Sequence, residues 1–206
     1  MTNEKMLQII EGLLSEDIKI YQLDKIKKEL LAEITADKVA KSGGRSEKTR
    51  YNAVKKFIKE TPSHLSMSGI KEVEDGFVVC DGYIAAIIRN LTSEGLERNS
   101  NPRFINVQDI LQKTKKDTKL IEFDDAMFQE KLALYKAKKI KKGEYPKPEC
   151  LVKIEDTYFN PAMIQKLLSV IGNVKEFYVN YNKLGASYII GESGEGIVLP
   201  VRVPQE

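Results

Sequence analysis

Apolar residues recur at helical spacing through the first part of the chain. Met6, Ile9, Ile10, Leu13 and Leu14 predict an amphipathic helix over residues 3–15. A second helix follows from about 22 to 41, with Leu23, Ile26, Leu30, Ile34 and Val39 on its apolar side, and Gly43-Gly44 stops it. Residues 1–46 read as a helical hairpin, with Ser42–Ser46 as the linker. Residues 47–60 form a further helix whose apolar side is Tyr51, Val54, Phe57 and Ile58, while Lys48, Lys55, Lys56 and Lys59 gather on the opposite side.

The period then shortens. Leu65–Lys71, Gly76–Cys80 and Tyr83–Arg89 read as three strands, parted by Glu74-Asp75-Gly76 and Asp81-Gly82, both hairpin signals. Residues 91–103 are polar and turn-rich. Phe104–Gln112 predicts a short strand or turn running into a one- or two-turn helix, and Leu120–Phe123 another strand. Residues 124–142 predict a helix with Asp124-Asp125 near its positive end and lysines near its negative end. Cys150–Ile154 is the next strand. Asn160 is a good N-cap, Pro161 a good first helical residue, and Gly172 ends the helix that Met163, Ile164, Leu167, Leu168 and Ile171 bury. Glu176–Tyr181, Ala186–Ile190 and Gly196–Val203 then read as three strands, turned back by 182–185 and the glycine-rich 191–196.

Each half of residues 47–206 is therefore a helix followed by a three-stranded meander. Two such units side by side make one shared sheet with both helices on one side. The expected class is α+β: a helical segment at 1–46 and an independently folding α+β domain at 47–206. Residues 90–150 read as an insertion or a degenerate part of the repeat, with a basic helical insertion at about 124–142.

Composition narrows the chemistry. The 33 Lys and Arg against 30 Asp and Glu leave a formal charge of +3, too small a bias to announce nucleic acid. The run Lys136, Lys138, Lys139, Lys141 and Lys142 is the one dense basic patch, either a solvated helix end or a phosphate contact. Cys80 and Cys150 do not make a disulfide framework, so a reducing cytoplasm is the expected compartment. No signal peptide or membrane-spanning run is read in the sequence. One histidine, His64, sits in a loop-like stretch and offers neither a zinc set nor a triad; no P-loop is present. The expectation is a protein without cofactor, metal or catalytic residues.

Several motifs resemble bacterial-type DNA sliding clamps. Val78-Val-Cys-Asp-Gly-Tyr-Ile-Ala85 is similar to the "ATDGHRLA" strand turn of that family, and Asn101-Pro-Arg-Phe-Ile-Asn-Val-Gln-Asp-Ile-Leu111 to its "GRFPDYERVLP" stretch. The residues from Tyr158-Phe-Asn-Pro-Ala to Gly196-Ile-Val-Leu-Pro-Val-Arg-Val203 resemble its closing helix and strand. Cys80, Tyr83-Ile84 and Phe104-Ile105 depart from the pattern, and the chain has room for one such domain where a clamp subunit carries three.

The resemblance implies a processivity or docking protein, phage or prophage in type and open to homo-oligomer formation, that touches DNA phosphates without reading bases. Its candidate DNA contacts are Lys48, Lys55, Lys56 and Lys59, with Lys136, Lys138, Lys139, Lys141 and Lys142; Lys166 is the lone basic residue on its helix. It also implies a cleft for short peptides of replication or repair proteins, formed by Asp81, Gly82 and Tyr83 on one wall and Ile197, Val198, Leu199, Pro200 and Val201 on the other. At a strand period of two, Leu199 and Val201 share a face and Val198 takes the other. A second expectation is a small regulatory or inhibitory binding protein that reuses the scaffold and forms no ring.

Overall fold

The computed structural model describes residues 6–7, 20–42, 44–61, 67–138 and 146–203. The predicted first helix therefore lies outside the described residues apart from Met6 and Leu7, as do Gly43, His64, Leu65, Lys139, Lys141 and Lys142. Helix α1 (Ile20–Ser42) is followed by α2 (Gly44–Glu60), whose Tyr51, Val54, Phe57 and Ile58 are all buried, as their spacing predicts. Three strands follow: β1 (Lys71–Val73), β2 (Gly76–Cys80) and β3 (Ile84–Ile88). After α3 (Val107–Lys116) come β4 (Thr118–Ile121), α4 (Asp125–Ala137) and the hairpin β5 (Val152–Ile154) and β6 (Thr157–Phe159). Helix α5 (Pro161–Ile171) leads into β7 (Val174–Asn180), β8 (Ser187–Gly191) and β9 (Gly194–Val198).

The two meanders join into one seven-stranded antiparallel sheet in the order β1-β2-β3-β9-β8-β7-β4. Strand β3 pairs with β9 at the seam, Ala86 opposite Gly196. The α+β class and the shared sheet thus take the form that the repeat predicts. Helices α2 and α5 pack on each other over one face, with α1 beside α2 and α4 beside α5. Phe77, Val79, Ile84, Ala86 and Ile88 meet them there. The other face, Val78, Cys80, Ala85, Ile87, Tyr188 and Ile197, is covered by Phe104 and by Val107 and Leu111 of α3. Burial on both faces is why β2 and β3 read as unbroken apolar runs rather than alternating ones.

Helix α5 begins and ends where its signals lie. The Asn160 side chain accepts from the Ala162 N–H, Pro161 has no N–H that would need an acceptor, and Gly172 adopts φ 85° and donates to the Leu168 carbonyl. Its C-terminus sits so close to the β8–β9 hairpin that a Cβ on Gly191 would lie 2.4 Å from the Ile171 carbonyl oxygen. Arg50 of α2 binds the same corner, donating to the carbonyls of Val170 (3.3 Å), Arg89 (3.1 Å) and Ser193 (3.4 Å).

Four expectations are corrected. Among the described residues the first strand begins at Lys71 rather than earlier in the expected 65–71, because the backbone of buried Ile70 exchanges hydrogen bonds with Glu97 and Asn99 instead of with β2. The last strand ends at Val198 rather than Val203: Pro200 has no N–H to offer β3, and the Val201 N–H goes to the Tyr158 carbonyl of β6 instead. The helix after Phe104 has ten residues, since Thr114 is buried beside Val107 and Leu111. Residues 90–150 are no mere insertion: they supply edge strand β4, the cover of one face, and Phe128 and Leu132 to the core of the other. Helix α1 also enters that core through Ala36, which ties the N-terminal segment to the sheet-bearing part.

Two buried phenols predict a pH window. Burial pushes the Tyr51 hydroxyl, which donates to the Glu94 carbonyl, up to about 12, and burial with the Glu195 carboxylate raises Tyr188 as well. A raised phenol favours the neutral form in the fold, so its stabilisation is complete below pH 10 and is lost as pH rises from 10 towards 12. Burial alone would raise Glu195, but hydrogen bonds from Tyr188 and Arg89 outweigh it and hold the carboxyl below its usual range. That contribution is lost only as pH falls below the ordinary carboxylate range. Melting temperature against pH should therefore fall at both ends, and Tyr51→Phe should flatten the alkaline fall. An unchanged alkaline slope in that variant would remove Tyr51 from the account.

Candidate partner-docking site

The Asp81-Gly82-Tyr83 turn joins β2 to β3 and is fixed from two directions. The Asp81 N–H donates to the Ile84 carbonyl (3.1 Å), and its Oδ1 accepts from the Tyr83 and Ile84 N–H groups at 3.0 Å each. Its Oδ2 accepts from the Lys166 ammonium of α5 at 2.8 Å. Lys166 lies 4.0 Å from the centre of the Phe57 ring and 3.8 Å from a Glu60 carboxylate oxygen, so α2 and α5 both hold the turn. Gly82, at φ 92°, allows the tight reversal. The outcome is Tyr83 standing 60% exposed on a turn with little freedom.

The closing segment runs past that tyrosine. The Leu199 N–H donates to the Tyr83 carbonyl at 2.9 Å, and the Val201 N–H to the Tyr158 carbonyl at 2.7 Å. Leu199, Pro200 and Val201 are half-buried. Ile197 and Val198, also expected on the cleft wall, lie in the two cores on opposite sides of the sheet and offer no surface to a peptide. The surface brought together is therefore Tyr83, Leu199, Pro200 and Val201, with Tyr158 as a wall that sequence reasoning missed. The signal for Tyr158 is its outward place between buried Thr157 and Phe159. Asp81 acts behind this surface as a positioning residue.

Among the described residues, the expected DNA contacts do not form one basic stripe. Lys48 lies 2.6 Å from Asp37 of α1, Lys56 3.7 Å from Glu60, and Lys138 3.3 Å from Glu149. Lys55 and Lys59 border a cavity of about 720 Å³ that Asp24, Glu29, Glu33 and Glu97 also line. Lys136 is exposed at the end of α4. A smaller cavity of about 330 Å³ lies between β1 and the start of α3. Neither cavity reaches Tyr83.

Cys80 and Cys150 are both buried free thiols, and burial raises the Cys80 pKa, the opposite of what a nucleophile needs. Among the described residues, no group of three His, Cys, Asp or Glu side chains is placed to hold a metal ion, and no helix is long and apolar enough to cross a membrane. No family model matches the chain, and no match to it was found among curated proteins or solved structures.

Proposed function

We propose that the chain is a non-catalytic docking protein on a sliding-clamp-like scaffold, holding a short extended peptide of a replication or repair partner against Tyr83 and Leu199–Val201. The observation that carries this reading is Tyr83: a large ring left in water on a turn that three hydrogen bonds to one carboxylate hold still. Exposed aromatics are the usual anchors of binding surfaces, and an anchor already ordered loses little further freedom on binding. The resemblance of the turn and the closing segment to clamp motifs supports the same place. DNA contact is the weaker half of the proposal and falls to Lys136–Lys142, as a phosphate-only, salt-sensitive interaction.

A second reading, a regulatory or inhibitory binding protein that forms no ring, draws support from the Lys48–Asp37 pair and the mixed charges around Lys55 and Lys59. These make α2 a poor wall for a DNA channel.

The test is a titration of a labelled clamp-binding peptide, followed by fluorescence anisotropy. Tyr83→Ala should weaken binding by about tenfold or more, while its unfolding free energy stays within about 1 kcal/mol of the parent, as at other exposed positions. Lys166→Met, which frees the turn but keeps the ring, should weaken binding less. A parent protein that ignores the peptide, or Tyr83→Ala binding it equally well, would overturn the docking site. In parallel, replacing Lys136 and Lys138 by Gln should flatten the salt dependence of any binding to duplex DNA; an unchanged slope removes that patch.

A further inference from the structure

The seven-stranded sheet has two edges, and they differ. The β1 edge is partly covered: residues 97–99 run beside Ile70, just before β1, which donates to the Glu97 carbonyl and accepts from the Asn99 N–H at 2.7 Å each. Glu72 of β1 is held by Ser93 and Arg98. The β4 edge pairs with β7 on one side and, among the described residues, with no strand on the other. An open edge of this kind is a template for another strand.

Apolar surface collects at the same edge. Of the five exposed large apolar side chains among the described residues, Leu120 (60%), Tyr181 (69%) and Leu184 (54%) are here. Leu120 lies on β4, the Tyr181 N–H donates to the Asp117 carbonyl just before β4, and Leu184 lies in the turn between β7 and β8.

The charges around β4 show what covers it. Exposed Lys115 and Lys116 precede the strand; exposed Glu122, Asp124 and Asp125 follow it. Laid antiparallel on itself with Leu120 at the centre, this segment meets its own complement. Leu120 faces Leu120, Thr118 faces Glu122, and the last turn of α3 in each copy, with Lys115 and Lys116, comes to the start of α4 in the other, with Asp125 and Asp124. Both ends match, once on each side of the axis. A head-to-tail assembly would need the partly covered β1 edge as its second surface, whereas a twofold pair needs β4 alone.

We propose that β4 is a self-association edge: two copies of this chain pair antiparallel through β4 about a twofold axis at Leu120, continuing the sheet from one copy into the other. The proposal is independent of the peptide site, which lies on the turn between β2 and β3.

Sedimentation velocity of the full chain over a concentration series tests it. The parent should show a reversible monomer–dimer equilibrium that weakens with added salt. Lys115→Glu and Asp125→Lys should each weaken dimerisation by about tenfold or more, and Leu120→Asn likewise. All three positions are exposed, and circular dichroism of each variant confirms that the fold is kept. An equimolar mixture of Lys115→Glu and Asp125→Lys should recover the parent's affinity, because these two positions lie opposite each other across the axis, so the exchanged pair is again of opposite charge and the remaining pairs are unchanged. A parent that stays monomeric at every concentration, a dimer indifferent to all three substitutions, a mixture that recovers nothing, or assemblies growing beyond two copies would each overturn the proposal.

Discussion

Phe57→Ala is expected to cost about 3–5 kcal/mol of unfolding free energy, the range for removing a buried aromatic side chain from a core. Phe57 is 1% exposed, on the face of α2 that meets α5 and the sheet. Its ring also lies 4.0 Å below the Lys166 ammonium, a contact worth about 0.5–2 kcal/mol where water is partly excluded. The loss reaches beyond packing, because Lys166 is what ties the Asp81 turn to α5. A urea titration should show a lower midpoint with an unchanged slope, as expected when the native state alone is weakened. Phe57→Leu restores most of the volume but not the ring, and should cost under about 1.5 kcal/mol. A loss below about 1 kcal/mol in the alanine variant would mean that α2 and α5 do not share this core.

The parts of this fold legible in the sequence are those governed by near neighbours. Tyr51, Val54, Phe57 and Ile58 declare the buried side of α2, and Asn160, Pro161 and Gly172 mark both ends of α5, because caps and amphipathic faces act within a turn or two of the chain. The three-strand meanders are legible for the same reason, since Glu74-Asp75-Gly76 and Asp81-Gly82 turn the strands locally. What failed was partnership at a distance. A strand of four residues such as β4 carries no signal for which edge it joins, so residues 90–150 look like an insertion although they complete the sheet. Strand β1, Lys-Glu-Val, is too polar to announce itself beside the apolar Ile70 that precedes it. The early end of β9 was available in Pro200, and the apolar run through Val203 outweighed it.

The site divides in the same way. Tyr83 and the Asp81-Gly82 turn can be read directly, and a period of two does place Val198 in the helix-side core and leaves Leu199 outside it. The pairing of Lys166 with Asp81 spans 85 positions and is invisible to pattern. So is the pairing of Lys48 with Asp37, which changes a candidate phosphate contact into a brace between two helices. Lone charges on a helix face are therefore poor guides to a ligand until their neighbours in space are known.

A chain that begins at Ser46 is expected to lose roughly 3–6 kcal/mol, although the change of period across Gly43-Gly44 suggests that residues 47–206 could stand alone. Leu30, Ala32, Ile34, Thr35 and Ala36 of α1 are all buried, and Ala36 lies in the same core as Tyr51, Val54 and Leu96. The Ala32 backbone is seated against Gly95 so closely that a Cβ there would lie 3.0 Å from the Ala32 Cα. Beside it the Tyr51 hydroxyl donates to the Glu94 carbonyl at 2.7 Å. Removing α1 opens Tyr51, Val54 and Leu96 to water at about 1.5–3 kcal/mol for each large apolar side chain fully exposed. It also removes the carboxylate that meets Lys48. Against a total stability of about 5–15 kcal/mol this leaves a marginal fold. Urea unfolding should show a sharply lower midpoint or no cooperative transition. Because a shortened chain can fail for other reasons, Ala36→Glu in the full chain supplies the second measurement. A carboxylate buried beside Tyr51 and Val54 should destabilise by more than about 3 kcal/mol. If the chain from Ser46 and the full-length Ala36→Glu variant both unfold within about 1 kcal/mol of the parent, α1 is an appendage and the sheet with its remaining helices is the independent unit.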